Sequence, residues 1–361
     1  MDNFKSTPCG VVRKHKLCKL AKLRKHTHIA KTCEQFTLSA SSISTFQSCR
    51  KRYEYEKIKH IYPLERPVAL DFGSALHEGI AFAMAMQNEL YKYDEDKLDE
   101  EFVGVKKSCV AQVDFKTEQL PVEDRVKAHV LMEHYMDKYW KEDVRDYLFI
   151  QDEMHVRMPL INPNTGKDSK RYFIQGYLDA VFRDADGALF IMEHKTSGQA
   201  NDDYFERVNI DMQIAIYADL LSRRMGEKVR RVVYDVIKKP KHTMALGETD
   251  EEYEARKAAS KTGKIKRKEA ETEDEFYHRL DLAIDDSYFV RREYIITDER
   301  IDELRKELWS IANEMGHCKT YYKCTGNCLK MGTCPYMKLC CAGGNIEGLE
   351  GIYTDKYPAR Y

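Results

Sequence analysis

The sequence predicts a mixed α/β fold: a central sheet flanked by helices, with a helical insertion before it and a cysteine-rich tail after it. Three observations predict it. Residues 71–90 and 122–142 carry apolar side chains at helical spacing. The period then changes: residues 171–182 and 188–196 read as two strands joined across Arg183-Asp184-Ala185-Asp186-Gly187, a turn with the Asp-Gly signal. A helix over 204–225 and a third strand over 230–237 follow.

Composition bounds what this fold can do. The chain has 361 residues, enough for one large domain or two small ones, and 43% hydrophobic residues exclude wholesale disorder. Its formal net charge of −1 supplies no global field for nucleic acid, so a polyanion must be held by local basic patches. No apolar run approaches the roughly 18 residues of a membrane span. The N-terminus lacks the apolar stretch of a secretory signal. The expectation is a cytoplasmic protein with no membrane partner, whose 11 cysteines are metal ligands or free thiols rather than disulfides.

In chain order, residues 1–37 form a basic leader with Arg13, Lys14, Lys16, Lys19, Lys22, Arg24 and Lys25. It reads as a mobile tail that lightly touches phosphate. Cys9, Cys18, His26, His28 and Cys33 offer a zinc clasp instead, although their spacing fits no standard finger. A single domain is expected over 38–344. It opens with the hydroxyls of Ser39, Ser41 and Ser42 ahead of Ile43, Phe46 and Tyr53, a helix-start pattern. Its parts are a helical region over about 70–147, a catalytic core over about 150–237 and a charged surface insertion over about 238–290. A C-terminal helix and cysteine tail follow over about 297–344, and residues 345–361 read as a terminal tail.

The chemistry concentrates in Gly176-Tyr177-Leu178-Asp179 and Glu193-His194-Lys195. Residues two apart in a strand share a face, so Glu193 and Lys195 point one way and His194 the other. With Asp179 on the neighbouring strand, two carboxylates and an ammonium converge where apolar packing ends, which costs free energy unless something pairs them. Mg²⁺ or Mn²⁺ held by Asp179, Glu193 and the backbone carbonyl of His194 supplies that pairing. Lys195 would then orient or help deprotonate a water that attacks a phosphodiester. The competing reading is an ordinary salt bridge across a hairpin. His77, four residues after Gly73 on a helix, and Gln213 and Tyr217, on one helix face, are further candidates; each also reads as core or surface.

Taken in order, Gly73…His77, Gly176…Asp179, Glu193-His194-Lys195 and Gln213…Tyr217 resemble the GxxxH, GxxD, ExK and QxxxY motifs of the RecB branch of the PD-(D/E)XK nuclease superfamily, over residues 39–341. The resemblance implies a restriction-endonuclease-like core, with Asp179 and Glu193 as metal ligands, Lys195 as the catalytic lysine and His77 as a further ligand. It implies that Gln213 and Tyr217 contact DNA or buttress the site. Gly176-Tyr177-Leu178 stands in place of the proline of the superfamily name, as is normal for this branch. The insertion before residue 294 resembles that of phage-encoded members and points to a viral origin within a bacterial cell.

The cysteines extend the resemblance. Cys49 precedes the core, and Cys328, Cys334 and Cys340 follow it, with Cys324 competing with Cys328 and Cys341 with Cys340. This layout is similar to the iron–sulfur staple of AddB-type and CRISPR-associated RecB-like nucleases. It implies a structural [4Fe–4S] cluster. Four thiolates also suit Zn²⁺, and free thiols remain a third reading. Cys109 and Cys318 have no evident partner and read as inert thiols.

The expected function is therefore a divalent-metal-dependent DNA exonuclease acting on single strands or ends, in recombination, repair or viral DNA processing. The run Arg50-Lys51-Arg52-Tyr53 offers cations for phosphates and a ring for bases, or else an ordinary solvated helix face. Two alternatives come from other classes: a DNA-binding or recombination module that does not cut, and the nuclease subunit of a helicase–nuclease. The chain has no G-x-x-x-x-G-K-[ST] loop, so a helicase motor, like a single-strand annealing protein, would be a separate partner.

Overall fold

The computed structural model describes residues 35–65, 67–90, 95–330 and 332–355. Most of the basic leader, including the candidate zinc clasp of Cys9, Cys18, His26, His28 and Cys33, lies outside them. The described chain begins with β1 (Phe36–Leu38) and α1 (Ala40–Ser48). Between them Ser39 closes a capping box: its hydroxyl accepts from Ser42 N–H, and its own N–H donates to Ser42 Oγ at 2.8 Å. α2 (Arg50–Tyr53) runs on as a π-helical turn over Glu54–Ile58 and is followed by β2 (Tyr62–Pro63).

The helical layer comprises α3 (Val68–Leu90), α4 (Glu95–Thr117) and α5 (Val122–Tyr135). α5 continues through a π-helical turn (Met136–Trp140) into α6 (Lys141–Asp146). Phe72, Leu76, Ile80, Leu131 and Trp140 of this layer pack on Phe182, Phe190 and Met192 of the sheet. Apolar burial of this kind stabilises by roughly 25 cal/mol per Å² removed from water.

The sheet follows. β3 (Leu148–Ile161) and β4 (Asp168–Arg183) are antiparallel along most of their length, and β4 and β5 (Leu189–Ser197) form the expected hairpin. Its turn is tight, with Gly187 at φ +81. α7 (Asp202–Val208) and α8 (Met212–Met225) lead to β6 (Arg231–Lys238), parallel to β5. The helix expected over 204–225 is thus broken, and Asp211 caps its second part by accepting from Gln213 N–H at 2.7 Å. α9 (Asp250–Ala259) and α10 (Glu273–Asp281) precede β7 (Phe289–Ile295), antiparallel to β6. α11 (Asp298–His317) lies with α8 on the second face of the sheet, where Ile214, Leu221, Leu304 and Leu308 meet Ile174, Leu178, Ile191 and Val232. The chain closes with α12 (Met337–Cys341) and β8 (Tyr353–Thr354), which pairs with β2.

Two expected boundaries need correction. Residues 241–275 contain no buried side chain, as a surface insertion should, but Phe276, Leu280, Ile284 and Phe289 enter the core beneath α5. The surface character therefore ends well before residue 290. The stretch from 345 is no loose tail up to residue 355: Ile346, Leu349, Ile352 and Tyr353 pack with Tyr55, Ile61, Tyr336 and Leu339 in a third small core. Among the described residues no helix is long and apolar enough to cross a membrane.

One feature of the sheet sets up the site. β4 is paired on one edge by β3, but its other edge is shared. β1 takes Tyr172, Phe173 and Ile174 in parallel, and β5 takes residues from Ala180 onward in antiparallel. Residues 175–179 lie in the fork between them.

Candidate active site

The motif residues gather at this fork. The last rung of the β4–β5 ladder is Ala180 opposite Met192. Beyond it the His194 N–H donates to Asp179 Oδ2 at 3.0 Å. Asp179 thus stands where β4 parts from β5. Two motif glycines allow the close approaches around it. A Cβ on Gly73 would lie 2.9 Å from Thr196 Oγ1, so α3 can press on the end of β5 and bring His77 Nδ1 to 3.8 Å from Asp179 Oδ2. A Cβ on Gly176 would lie 2.6 Å from Tyr217 Cε1, so the ring of Tyr217 can lie on β4.

The strand period does what it predicts for β5. Glu193 and Lys195 turn toward α8, and His194 turns toward Asp235, with its ring 6.1 Å from that of His77. Glu193 Oε1 accepts from Lys195 Nζ and from Gln213 Nε2, the latter at 2.7 Å. The same Gln213 nitrogen is 2.9 Å from Tyr217 Oη. Glu193 is fully buried, and its Oε2 has no hydrogen-bond partner. Burial pushes its acidity to a pKa of about 8, with Asp179 adding to the rise and Lys195 opposing it. Burial works against the Lys195 charge too, but Glu193 and Asp179 outweigh it and hold the ammonium above its ordinary range. Burial holds His77 down to about 4 despite Asp179, leaving a neutral imidazole at neutral pH. Burial, with Glu193 nearby, also keeps Tyr217 protonated.

These groups fit a divalent cation. A buried carboxylate oxygen lacks a partner, a second carboxylate stands at the fork, and a neutral imidazole stands beside it. Oxygen donors with one nitrogen suit Mg²⁺ or Mn²⁺. Among the described residues, however, no group of three or more His, Cys, Asp or Glu side chains is placed to hold a metal ion.

Behind His194 lies a buried network that the sequence reading missed. Asp235 Oδ2 accepts from Tyr135 Oη at 2.6 Å, stands 3.1 Å from His194 Nδ1 and pairs with Arg291 Nε at 3.3 Å. Arg291 also pairs with Asp143. The available signal was an acid, Asp235, inside the apolar run of β6.

In the basic run expected to meet nucleic acid, the cations carry ion pairs and the ring is buried. Arg50 pairs with Glu314, Lys51 with Glu54 at 2.6 Å, and Arg52 with Glu56 at 3.5 Å. Tyr53 is buried, stacked on Tyr321 and edge-on to Phe46, so no base can reach its face.

The cysteines converge from both ends of the domain without forming disulfides. Asn327 Nδ2 donates to Ser48 O at 2.7 Å, beside Cys49, and Cys334 N–H donates to Cys328 O at 2.8 Å. Burial pushes the Cys328 thiol up, and Cys334, Cys49, Cys324 and Cys341 add to it as nearby potential charges. Cys340 is pushed up by burial, with Cys334 and Cys49 contributing. Among the described residues these thiols, like the carboxylates, form no group of three placed to hold a metal ion. Cys109 is buried, and burial pushes its thiol to about 12, as for an inert thiol.

No curated protein matches the chain. The family model of the PD-(D/E)XK nuclease superfamily matches residues 37–341, most of the chain, a stretch that contains both carboxylates and the lysine. The chain belongs to the PD-(D/E)XK nuclease superfamily, a family of metal-dependent nucleases.

Proposed function

We propose that the chain is a DNA exonuclease of the RecB branch, acting with Mg²⁺ or Mn²⁺ on single strands or free ends in recombination, repair or viral DNA processing. One observation carries the reading: the unpartnered, buried Oε2 of Glu193, held beside Lys195 at the fork where Asp179 and His77 meet. Asp179, Glu193, His77 and the carbonyl of His194 would hold the ion. When bound, it lowers the pKa of a water and neutralises charge developing on phosphorus. Gln213 occupies Glu193 Oε1 and so leaves Oε2 for that role. The Lys195 ammonium, 28% exposed at its side chain, can orient the water and stabilise negative charge in the transition state. Tyr217 Oη accepts a second hydrogen bond from the same Gln213 nitrogen and so fixes its amide.

The test is degradation of labelled DNA with Mg²⁺ or Mn²⁺. Asp179→Ala and Lys195→Ala, each with wild-type circular dichroism, should abolish it. If either variant digests DNA as fast as wild type, the assignment is wrong.

In the same reading Cys49, Cys328, Cys334 and Cys340 hold a structural [4Fe–4S] cluster that ties the tail to α2. The convergence of these thiols supports it, with Cys328 and Cys340 each pushed up by burial and by their thiol neighbours.

A further inference from the structure

The fork in the sheet opens into a cleft of about 730 Å³, lined by Ser41, Ser44, Lys57, Tyr177, Gln213 and Tyr217 among others. That is within the range of ligand sites. Gln213 and Tyr217 belong both to this cleft and to the hydrogen-bond chain that ends on Glu193, so the cleft wall is one hydrogen bond from that carboxyl group. Tyr177, two residues before Asp179, is 49% exposed. It lies opposite His155 in the β3–β4 ladder, and the two rings stack with centroids 4.5 Å apart and planes 21° from parallel. His155 Nε2 is in turn 3.4 Å from Gln175 Oε1.

An exposed aromatic stack on two paired strands is a rigid π-surface that loses little freedom when covered. Every nucleobase has a face that fits such a surface, and it can be presented only after leaving its own helix. The cleft also offers hydroxyls and one ammonium: Lys57, whose only ion pair among the described residues is with adjacent Glu56 at 2.7 Å.

We propose that Tyr177, braced by His155, is the platform on which an unpaired base of a single DNA strand stacks, while the adjoining phosphate lies against Ser41, Ser44 and Lys57 in the same cleft. The choice of DNA rests on the nuclease reading above. The platform makes the site selective for unpaired strands through a residue outside the metal-binding set.

The test is equilibrium binding of a fluorescent oligothymidylate and of a blunt duplex, without divalent metal so that nothing is cut. Tyr177→Ala should weaken single-strand binding by roughly 5- to 100-fold and leave duplex binding within about twofold, whereas Tyr177→Phe, which keeps the ring, should bind like wild type. For wild-type protein, one abasic site walked along the oligonucleotide should weaken binding at one position, and this penalty should vanish in Tyr177→Ala. The proposal is overturned if Tyr177→Ala retains single-strand affinity, if it loses both ligands equally, if wild type binds no single strand, or if no abasic position matters. The walk on wild-type protein decides the matter even if Tyr177→Ala fails to fold. A wild type that binds this way yet cuts nothing with Mg²⁺ or Mn²⁺ removes the nuclease reading and keeps the platform. A wild type that cuts, with Tyr177→Ala binding unimpaired, does the reverse.

Discussion

Gly176→Ala puts the seat of Tyr217 to the test. The added Cβ would stand 2.6 Å from Tyr217 Cε1, 2.9 Å from its Cδ1 and 3.3 Å from Leu220 Cδ1. The first two distances are well inside contact, so the ring must move. Overpacking of this kind costs about 1–3 kcal/mol. Against it stands the lower entropy of an unfolded chain with alanine, worth about 0.4–1 kcal/mol where the backbone is ordinary strand, as here. The net expectation is a loss of about 1–2 kcal/mol. In a Tyr217→Ala background the clash is gone, and the same substitution should become neutral or stabilising by about 0.4–1 kcal/mol. Urea unfolding of the four proteins gives the coupling directly, expected at about 1–3 kcal/mol. Activity should fall as well, because the displaced Tyr217 hydroxyl no longer fixes the amide that holds Glu193 Oε1. A coupling indistinguishable from zero would refute the idea that this glycine exists to seat the ring.

Asp235→Ala leaves Tyr135 Oη and His194 without their buried acceptor, while Arg291 keeps only Asp143, and should cost about 1–3 kcal/mol in urea melts. Burial alone would raise the Asp235 pKa, but Arg291 and His194 outweigh it and hold it at about 2, below its ordinary 3.8. Its stabilisation is therefore complete above the ordinary value and is lost as pH falls through about 2, so stability measured downward from pH 5 should drop more in wild type than in Asp235→Asn. Protein purified without oxygen should be brown and carry equal iron and sulfide, and Cys49→Ser or Cys340→Ser should lose colour and thermal stability together. Colourless protein with bound zinc would replace the cluster by a zinc site.

Sequence pattern reached furthest where local signals and the fold agree. The β4–β5 hairpin has an Asp-Gly turn whose Gly187 adopts positive φ, and α11 begins and ends where its periodicity does. β1 escaped because three residues carry no period of their own and become a strand only beside Tyr172, Phe173 and Ile174. β3 follows α6 with no Gly or Pro to mark the change, and β7 sits behind a charged stretch; both are defined by long-range pairing. The motif residues were found by type and order, but their meeting at a forked strand depends on β1, which local pattern does not reveal. The surroundings of Arg50–Tyr53 were legible only in part: Lys51 and Arg52 pair nearby with Glu54 and Glu56, but Glu314 and Tyr321, which meet Arg50 and Tyr53, lie far along the chain.

The third small core has a consequence for how the protein is made. Tyr336 Oη donates to the carbonyl of Ile61 across a separation of 275 residues. At roughly 5–20 residues per second, a ribosome needs on the order of 14–55 s to translate that interval. Throughout it the early apolar side chains of Tyr55 and Ile61 are exported without their cover. The nascent chain therefore offers a sticky site to chaperones until the last segment emerges, and slowing translation there should raise the fraction that aggregates.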